Sequence, residues 1–157
     1  MGQTYMNEQD SPNKRLGEVY ATIDGVRSCM CMVKDFEATA NIKSYDDKCI
    51  GKAISGKKPG SITVKLSMTI YKCTEIFDDV IEAFKNTGLM PTIDVQATNN
   101  DPASCCGAST KIYRNCVIDG DVLLNAIAQD DGNVEQKIEM YASDYDSASK
   151  FKNPSYM

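Results

Sequence analysis

Residues 61–104 read SITVKLSMTIYKCTEIFDDVIEAFKNTGLMPTIDVQATNNDPAS, and this stretch decides the fold. Its first ten residues alternate between polar and apolar side chains. Successive side chains of a strand face opposite sides of a sheet, so the alternation predicts a strand with one dry face and one polar face. The predicted dry face comprises Ile62, Val64, Leu66, Met68 and Ile70, and the polar face comprises Ser61, Thr63, Lys65, Ser67 and Thr69.

The spacing of apolar residues then changes to that of a helix, over about residues 75–87. Thr74 is the predicted N-cap, because its hydroxyl can accept a free backbone N–H. Gly88 is the predicted C-terminal stop, because glycine adopts the left-handed conformation at little cost. Pro91 opens a second strand, which ends at the turn formed by residues 99–102.

The rest of the chain reads as further strands. Residues 17–23 form a predicted strand, and Asp24-Gly25 is a strong signal for a two-residue hairpin turn into a long strand over 27–42. Later strands are predicted over 109–118, 121–128 (where the alanines fit a helix as well) and 134–145. About seven strands and one helix predict a mainly β domain, an antiparallel β-sandwich or open barrel with the helix packed on one side.

The same pattern predicts how the chain is divided. Residues 1–16 are polar and aperiodic, so we expect an arm that stays disordered unless a partner orders it. Residues 17–145 form the predicted domain, and 146–157 a polar tail. Residues 44–60 have no clean period and several glycines. A long loop inside a compact domain is usually functional, which favours an arm that docks on a neighbouring subunit over a floppy insertion.

Composition excludes several classes of protein. With 22 acidic and 17 basic residues the net charge is −5, which argues against a protein that grips nucleic acid. The seven cysteines do not have the spacing of structural zinc sites and histidine is absent, so we predict free thiols in a reducing compartment, with no metal and no cofactor. No apolar run approaches the ~20 residues that span a bilayer, and the N-terminal stretch lacks the apolar segment of a secretory signal, so no membrane anchor is expected.

No catalytic residue is predicted. The chain has no histidine to act as a base near neutral pH, and no nucleophile elbow, P-loop or dinucleotide-binding turn. The adjacent acids Asp46-Asp47, Asp78-Asp79 and Asp130-Asp131 have no visible catalytic partner. A small thiol- or metal-dependent enzyme is therefore the weakest hypothesis. Polar arms, a long loop and exposed strand edges favour self-assembly instead.

Three parts of the sequence have a specific pattern: Gly60, Ser61, Thr63 and Tyr71, the helix that follows, and the turn with Thr98, Asn99, Asp101, Pro102 and Ser104. With other segments, in order over residues 16–145, they resemble the core tail tube proteins of contractile-tailed bacteriophages, defective prophages and phage-tail-like bacteriocins. The resemblance implies a β-sandwich flanked by a helix, with six copies in a ring that each lend strands to a continuous inner β-barrel. It further implies that rings stack into a hollow tube inside a contractile sheath, which conducts DNA or breaches an envelope.

The resemblance also implies partners and surfaces. The partners are further copies of the chain and the sheath, baseplate and tail-terminator proteins, with DNA as passing cargo, in a virion or tail-like particle assembled in the bacterial host cytoplasm. A tube-terminating or baseplate-hub protein of the same machinery is the alternative. The implied inter-ring contact loop contains Tyr45, Asp46, Asp47, Lys48, Ile50, Lys52, Lys57 and Lys58. The candidates for the tube lumen, taken from the polar faces of the long strands, are Asp35, Glu37, Thr39, Thr63, Lys65, Ser67 and Thr69.

Overall fold

The computed structural model describes residues 5–30 and 32–153. Parts of the predicted arm and tail, residues 1–4 and 154–157, lie outside this range. The described chain forms a short 3₁₀ turn, one α-helix and eight strands. The elements are the turn Glu8–Asp10, β1 Gly17–Ile23, β2 Val26–Cys29, β3 Val33–Asp47, β4 Gly56–Tyr71, α1 Ile76–Thr87, β5 Ile93–Asn100, β6 Ala108–Ile118, β7 Glu135–Ala142 and β8 Asp144–Ser149.

The strands join into one antiparallel sheet with the order β2-β1-β5-β6-β7-β4-β3, and β8 also pairs with β6. β6 connects the two halves of this sheet. Its first part pairs with β5 and β8, whereas its last residues, Val117 and Ile118, pair with β7. We call β1, β2, β5, β6 and β8 the first sheet half, and β3, β4 and β7 the second sheet half.

The sheet curls, so that its two halves face each other across one hydrophobic core. Phe36 of β3 and Tyr113 of β6 illustrate this, because their ring centroids are only 6.2 Å apart although two other strands separate β3 from β6 in the strand order. The chain passes directly from β2, at one end of the sheet, to β3, at the other end. This architecture confirms the predicted mainly β, antiparallel fold with one helix; the sheet is open rather than closed.

The predicted dry face of β4 is confirmed over most of its length. Leu66, Met68 and Ile70 are fully buried, and Val64 is at the margin of the core. Ile62 is an exception, with 62% of its surface exposed. The reason lies in the register, since Val64 pairs with Ala142 at the very end of β7, and earlier β4 residues extend beyond the core.

The helix α1 packs on the core through Phe77 and Val80, which are both buried. Gly88 ends it in the left-handed conformation, with φ 73°, and its N–H donates to the carbonyl of Phe84, as predicted. The N-cap position is occupied by Glu75 rather than Thr74, so the predicted position is wrong by one residue, although the Thr74 hydroxyl does accept the backbone N–H of Ile76 at 3.5 Å. The described part of the chain contains no helix long and apolar enough to cross a membrane.

Four predicted elements need correction. The strand over 134–145 is divided between β7, which ends at Ala142, and β8, which begins at Asp144 and includes residues 146–149 of the predicted tail. The single strand over 27–42 is wrong, because the chain leaves β2 at Cys29 to cross to the far end of the sheet before β3 begins. The strand over 121–128 is also wrong, since residues 119–134 have no regular structure. The loop over 44–60 is shorter than expected, because β3 and β4 continue as a paired hairpin and leave only residues 48–55 outside the strands.

The N-terminal arm, residues 5–16, is docked rather than disordered, so that prediction is wrong for this part. The backbone N–H of Cys105 donates to the carbonyl of Gln9 at 2.9 Å, and the Asn13 N–H donates to the carboxylate of Asp101 at 2.9 Å. The turn after β5 therefore supplies partners within the same chain for the backbone of the arm.

Candidate functional site: a polar strand face, a free edge and a projecting hairpin

The polar side chains of β3 and β4 form one continuous surface. Residues directly opposite each other in an antiparallel pair lie on the same face of the sheet. Glu37 lies opposite Ser67, and Thr39 lies opposite Lys65. The surface continues onto β7, where Ser67 lies opposite Glu139. We call this surface the polar face. It brings together all seven residues predicted for the lumen: Asp35, Glu37, Thr39, Thr63, Lys65, Ser67 and Thr69.

The polar face carries both signs of charge. Glu139 is shared between Lys65, at 3.5 Å, and Lys137, at 3.7 Å. Asp35 and Glu37 are exposed on β3, so carboxylates outnumber ammonium groups among these charged residues. The opposite faces of β4 and β7 are committed to the core, which leaves the polar face as the accessible side of these strands.

Sequence reasoning missed that β7 contributes to this surface. The alternation of residues 134–145 does place Lys137, Glu139 and Tyr141 on a polar side. The pairing of β4 with β7 joins residues about seventy positions apart in sequence. No local pattern specifies that pairing, so the sequence alone did not assign these side chains to the polar face.

β3 ends the strand order and has a free edge. Within the described residues, β3 pairs with β4 alone, so the backbone edge facing away from β4 carries no strand along Val33–Asp47. β4 has a second free edge over its first residues, because β7 ends opposite Val64. Unpaired edges of this length are templates for pairing with another chain unless they are blocked.

The outer ends of β3 and β4 form a hairpin that extends past the end of β7. Asp47 pairs with Gly56, and residues 48–55 make the tip. Two cross-strand ion pairs, Asp46–Lys57 at 3.9 Å and Asp47–Lys58 at 4.0 Å, lie on the strands next to this tip. Ile50 and Ile54 are exposed at the tip. The structure thus brings together the eight predicted inter-ring contact residues: Tyr45, Asp46, Asp47, Lys48, Ile50, Lys52, Lys57 and Lys58.

The cysteines do not form a metal-binding centre in the part of the chain that the structure describes. No three side chains of His, Cys, Asp or Glu come together there to hold a metal ion. Cys116 of β6 is 1% exposed and lies within the core. Burial, with a smaller contribution from the nearby charge of Asp94, raises the pKa of the Cys116 thiol to about 12. This thiol stays protonated and acts as a small hydrophobic side chain.

A curled antiparallel sheet with a long free edge, a polar face and a projecting hairpin defines a structural β protein built for assembly. The chain belongs to the Phage tail tube protein family, whose sequence model matches residues 4–148. It is accordingly a structural component of a phage tail or tail-like particle and not an enzyme. No curated protein matches the chain by sequence.

Solved structures of tail-like particles share this fold. A chain of the anti-feeding prophage cap, described as the tube terminating cap, superposes with a TM-score of 0.66 at 11% identity, covering 94% of this chain and 96% of the other. A chain of the anti-feeding prophage baseplate has a TM-score of 0.58 at 8% identity, covering 94% of this chain and 97% of the other. A chain of the sheath-tube complex of the extracellular contractile injection system PVC has a TM-score of 0.56 at 11% identity, covering 94% of this chain and 93% of the other. At these identities the likeness concerns the fold alone.

Proposed function

We propose that this protein is the tube subunit of a contractile, phage-like tail, in which hexameric rings stack into a hollow tube. The observation that carries this proposal is the free edge of β3 beside the polar face. When the edge of one copy pairs with a neighbour and the pairing continues around a ring, no edge remains exposed. The second sheet halves of all copies then form one inner barrel.

The polar face lines the lumen of this tube. The other faces of β4 and β7 are buried in the core of each subunit, so the polar face is the side that a closed inner barrel turns towards its axis. Its excess of carboxylates, including Asp35 and Glu37, repels the phosphates of DNA. Cargo that is repelled by the wall slides through rather than binding, whether the particle is a phage or a bacteriocin that breaches an envelope.

The projecting hairpin makes the contact between rings, and the outer surface of the tube meets the sheath. The first sheet half faces the second sheet half across the core, so it lies on the side away from the polar face, and we assign it, together with α1, to the outer wall. Baseplate and tail-terminator proteins bind the two ends of the tube. The free thiols among the described residues suit assembly in the reducing cytoplasm of the bacterial host.

The second candidate is a tube-terminating or baseplate-hub protein of the same machinery. The fold similarity to the cap of the anti-feeding prophage, with a TM-score of 0.66, supports this alternative. The two candidates differ in one property: a tube subunit must stack on copies of itself, whereas a terminating protein forms one ring and stops.

Electron microscopy of the purified full chain over a range of concentrations tests both candidates. Hollow tubes built of stacked six-membered rings support the tube subunit. A single closed ring that never elongates supports the terminating protein and contradicts our proposal. A monomer that persists at the highest concentration contradicts both, since it would leave the edge of β3 unpaired.

A further inference from the structure

β4 places two charged segments at opposite ends of the molecule. The hairpin segment, residues 43–58, includes the start of β4. The acidic loop, residues 119–134, lies at the other end, where the backbone N–H of Lys72, just after β4, donates to the carbonyl of Val134 at 2.8 Å. Sixteen residues of strand separate the tip from this contact, which is about 50 Å at ~3.3 Å per residue.

The acidic loop has no regular structure, yet it is held in place at several points. At its start, the N–H of Asp119 donates to the carbonyl of Glu139 at 3.0 Å. Four residues further on, the ammonium of Lys72 donates to the carbonyl of Leu123. Residues 124–133 are exposed between this contact and the start of β7. The loop is therefore anchored near both of its ends, which limits where residues 124–133 can lie.

The two segments carry opposite charges. The acidic loop contains no lysine or arginine, and its acidic residues are Asp119, Asp121, Asp130 and Asp131. In the hairpin segment, Asp46 and Asp47 already pair with Lys57 and Lys58, as described above. The remaining charged side chains there are all basic: Lys43, Lys48 and Lys52.

Both segments also expose large apolar side chains. Ile50 and Ile54 are 108% and 78% exposed at the tip of the hairpin, and Leu124 and Ile127 are 54% and 98% exposed in the acidic loop. Exposed apolar groups rimmed by charged residues are typical of interaction sites. Each apolar pair lies in a segment whose remaining charges are opposite in sign to those of the other segment.

We propose that the hairpin segment of one copy binds the acidic loop of a copy in the next ring. This inference rests on the proposed tube function and names the receiving surface that the hairpin requires. The contact is head-to-tail, because the two surfaces lie at opposite ends of β4 and differ from each other, so it repeats along an axis without closing. Like ends of two rings repel each other, which makes every ring point in the same direction.

Charge reversal tests the pairing. Lys48→Glu with Lys52→Glu reverses the hairpin, and Asp130→Lys with Asp131→Lys reverses the loop. Each variant should still form closed rings, which shows that it folds. The fraction of protein in tubes, measured by sedimentation and electron microscopy, should fall about tenfold or more, since like charges across an interface cost several kcal/mol. Combining all four substitutions should restore tubes.

A matched control reverses two exposed charges on α1, Glu82→Lys with Lys85→Glu, and should leave tube length unchanged. Proximity is measured separately with the exposed thiol of Cys49 at the hairpin tip. In tubes of the Ile127→Cys variant, a bifunctional maleimide should join Cys49 to the new thiol of another copy. The Cys49→Ser, Ile127→Cys variant should lack this crosslinked peptide. In a Phe84→Cys variant, the reagent should not join Cys49 to the thiol introduced on α1.

The outcomes separate this inference from the proposed function. If the unaltered chain makes no tubes, the proposed function fails. If it makes tubes, but the loop reversal makes equally long ones or the combined variant does not recover, the inference fails while the function stands. A missing crosslink to Cys49 in intact tubes likewise overturns the inference.

Discussion

The ammonium of Lys72 lies 2.8 Å from Oδ1 and 2.9 Å from Oδ2 of Asp78, and both side chains are nearly buried, at 9% and 12% exposure. Lys72 follows β4 and Asp78 lies in the first turn of α1, so the pair fixes the helix against the end of the strand. The same ammonium binds the acidic loop at Leu123. One side chain thus joins three parts of the subunit.

Breaking this ion pair is expected to be costly. Lys72→Met leaves the carboxylate of Asp78 buried without its cation, and the free energy of unfolding should fall by about 3–5 kcal/mol. Lys34→Met is the matched control, because Lys34 pairs with Glu135 in solvent, at 51% and 40% exposure, and should cost less than about 1 kcal/mol. Urea unfolding of both variants measures the difference. Equal losses would show that the Lys72 pair has no special role.

Shortening the hairpin should separate ring formation from ring stacking. Asp47 and Gly56 are paired, so residues 48–55 can be replaced by Asn-Gly, a two-residue turn that preserves the register of β3 and β4. The variant should keep the fold and close into rings, because the free edge and the polar face are untouched. Its rings should not stack, which electron microscopy can determine. Normal tubes from this variant would contradict the assignment of the hairpin to the ring contact.

Labelling should identify the lumen. Ser67 lies at the centre of the polar face, between Glu37 and Glu139. In the Ser67→Cys variant, the new thiol should react with a small maleimide in both rings and tubes, but only slowly with a bulky polymer-linked maleimide once tubes have formed. Glu82→Cys, on the exposed side of α1, should react with the bulky reagent in both states. Mass spectrometry of the modified peptides measures both rates. Fast labelling of the Ser67 site in tubes would place the polar face outside.

Stability should decline at alkaline pH through Cys116. Its pKa is raised to about 12 in the fold from an ordinary value of 9.0, so the fold favours the protonated thiol. The unfolded chain loses this proton first, and the stabilisation is fully present below pH 9 and lost as the pH rises towards 12. The slope reaches about 1.4 kcal/mol per pH unit for one group. Cys116→Ala should be less stable at neutral pH, yet its free energy of unfolding should fall less between pH 8 and about 10.5. If the free energy of unfolding falls equally with pH in the unaltered chain and in Cys116→Ala, the alkaline loss of stability does not come from Cys116.

Removing one buried carboxylate should release the N-terminal arm. Asp101 is 7% exposed and accepts the N–H groups of Asn13, at 2.9 Å, and Ala103, at 3.0 Å. In Asp101→Ala the N–H groups of Asn13 and Ala103 lose a charged acceptor, which costs about 1–3 kcal/mol and loosens the arm. Trypsin should then cleave after Lys14 and Arg15 faster than in the unaltered chain. In the control variant Asp130→Ala, which alters the exposed acidic loop, trypsin should cleave these sites at the same rate as in the unaltered chain.

The centre of the fold was predictable because its signals are local. The alternation of Val64 to Ile70 and the left-handed Gly88 each act within a few residues, and the structure confirms both. The Asp24-Gly25 turn belongs to the same class, with positive φ angles of 49° and 83°. Such features depend on backbone geometry and side-chain periodicity and need no knowledge of the tertiary contacts.

The predictions that were wrong concern features that depend on contacts between residues distant in sequence. The break between β2 and β3 arises because the sheet curls, which no pattern within residues 27–42 encodes. The arm is ordered by Asp101 and Cys105, roughly ninety residues away in sequence. The Val and Leu content of residues 121–128 suggests a strand, but Val122 packs against the core and residues 124–128 are exposed. Lys72, which anchors that loop, carries no sequence signal of its role.

The first half of β4 belongs to the projecting hairpin and its second half packs on the core, and this has a mechanical consequence for a tail that contracts. A push or pull that arrives at the tip travels along one uninterrupted covalent strand from Gly56 to Tyr71. It reaches the ladder with β7, where eight residue pairs lie across the line of the force and resist it in shear together. Shear loads all rungs of a ladder at once, whereas peeling would break them one at a time. In the proposed tube, each subunit can therefore pass axial load from ring to ring without its sheet unzipping.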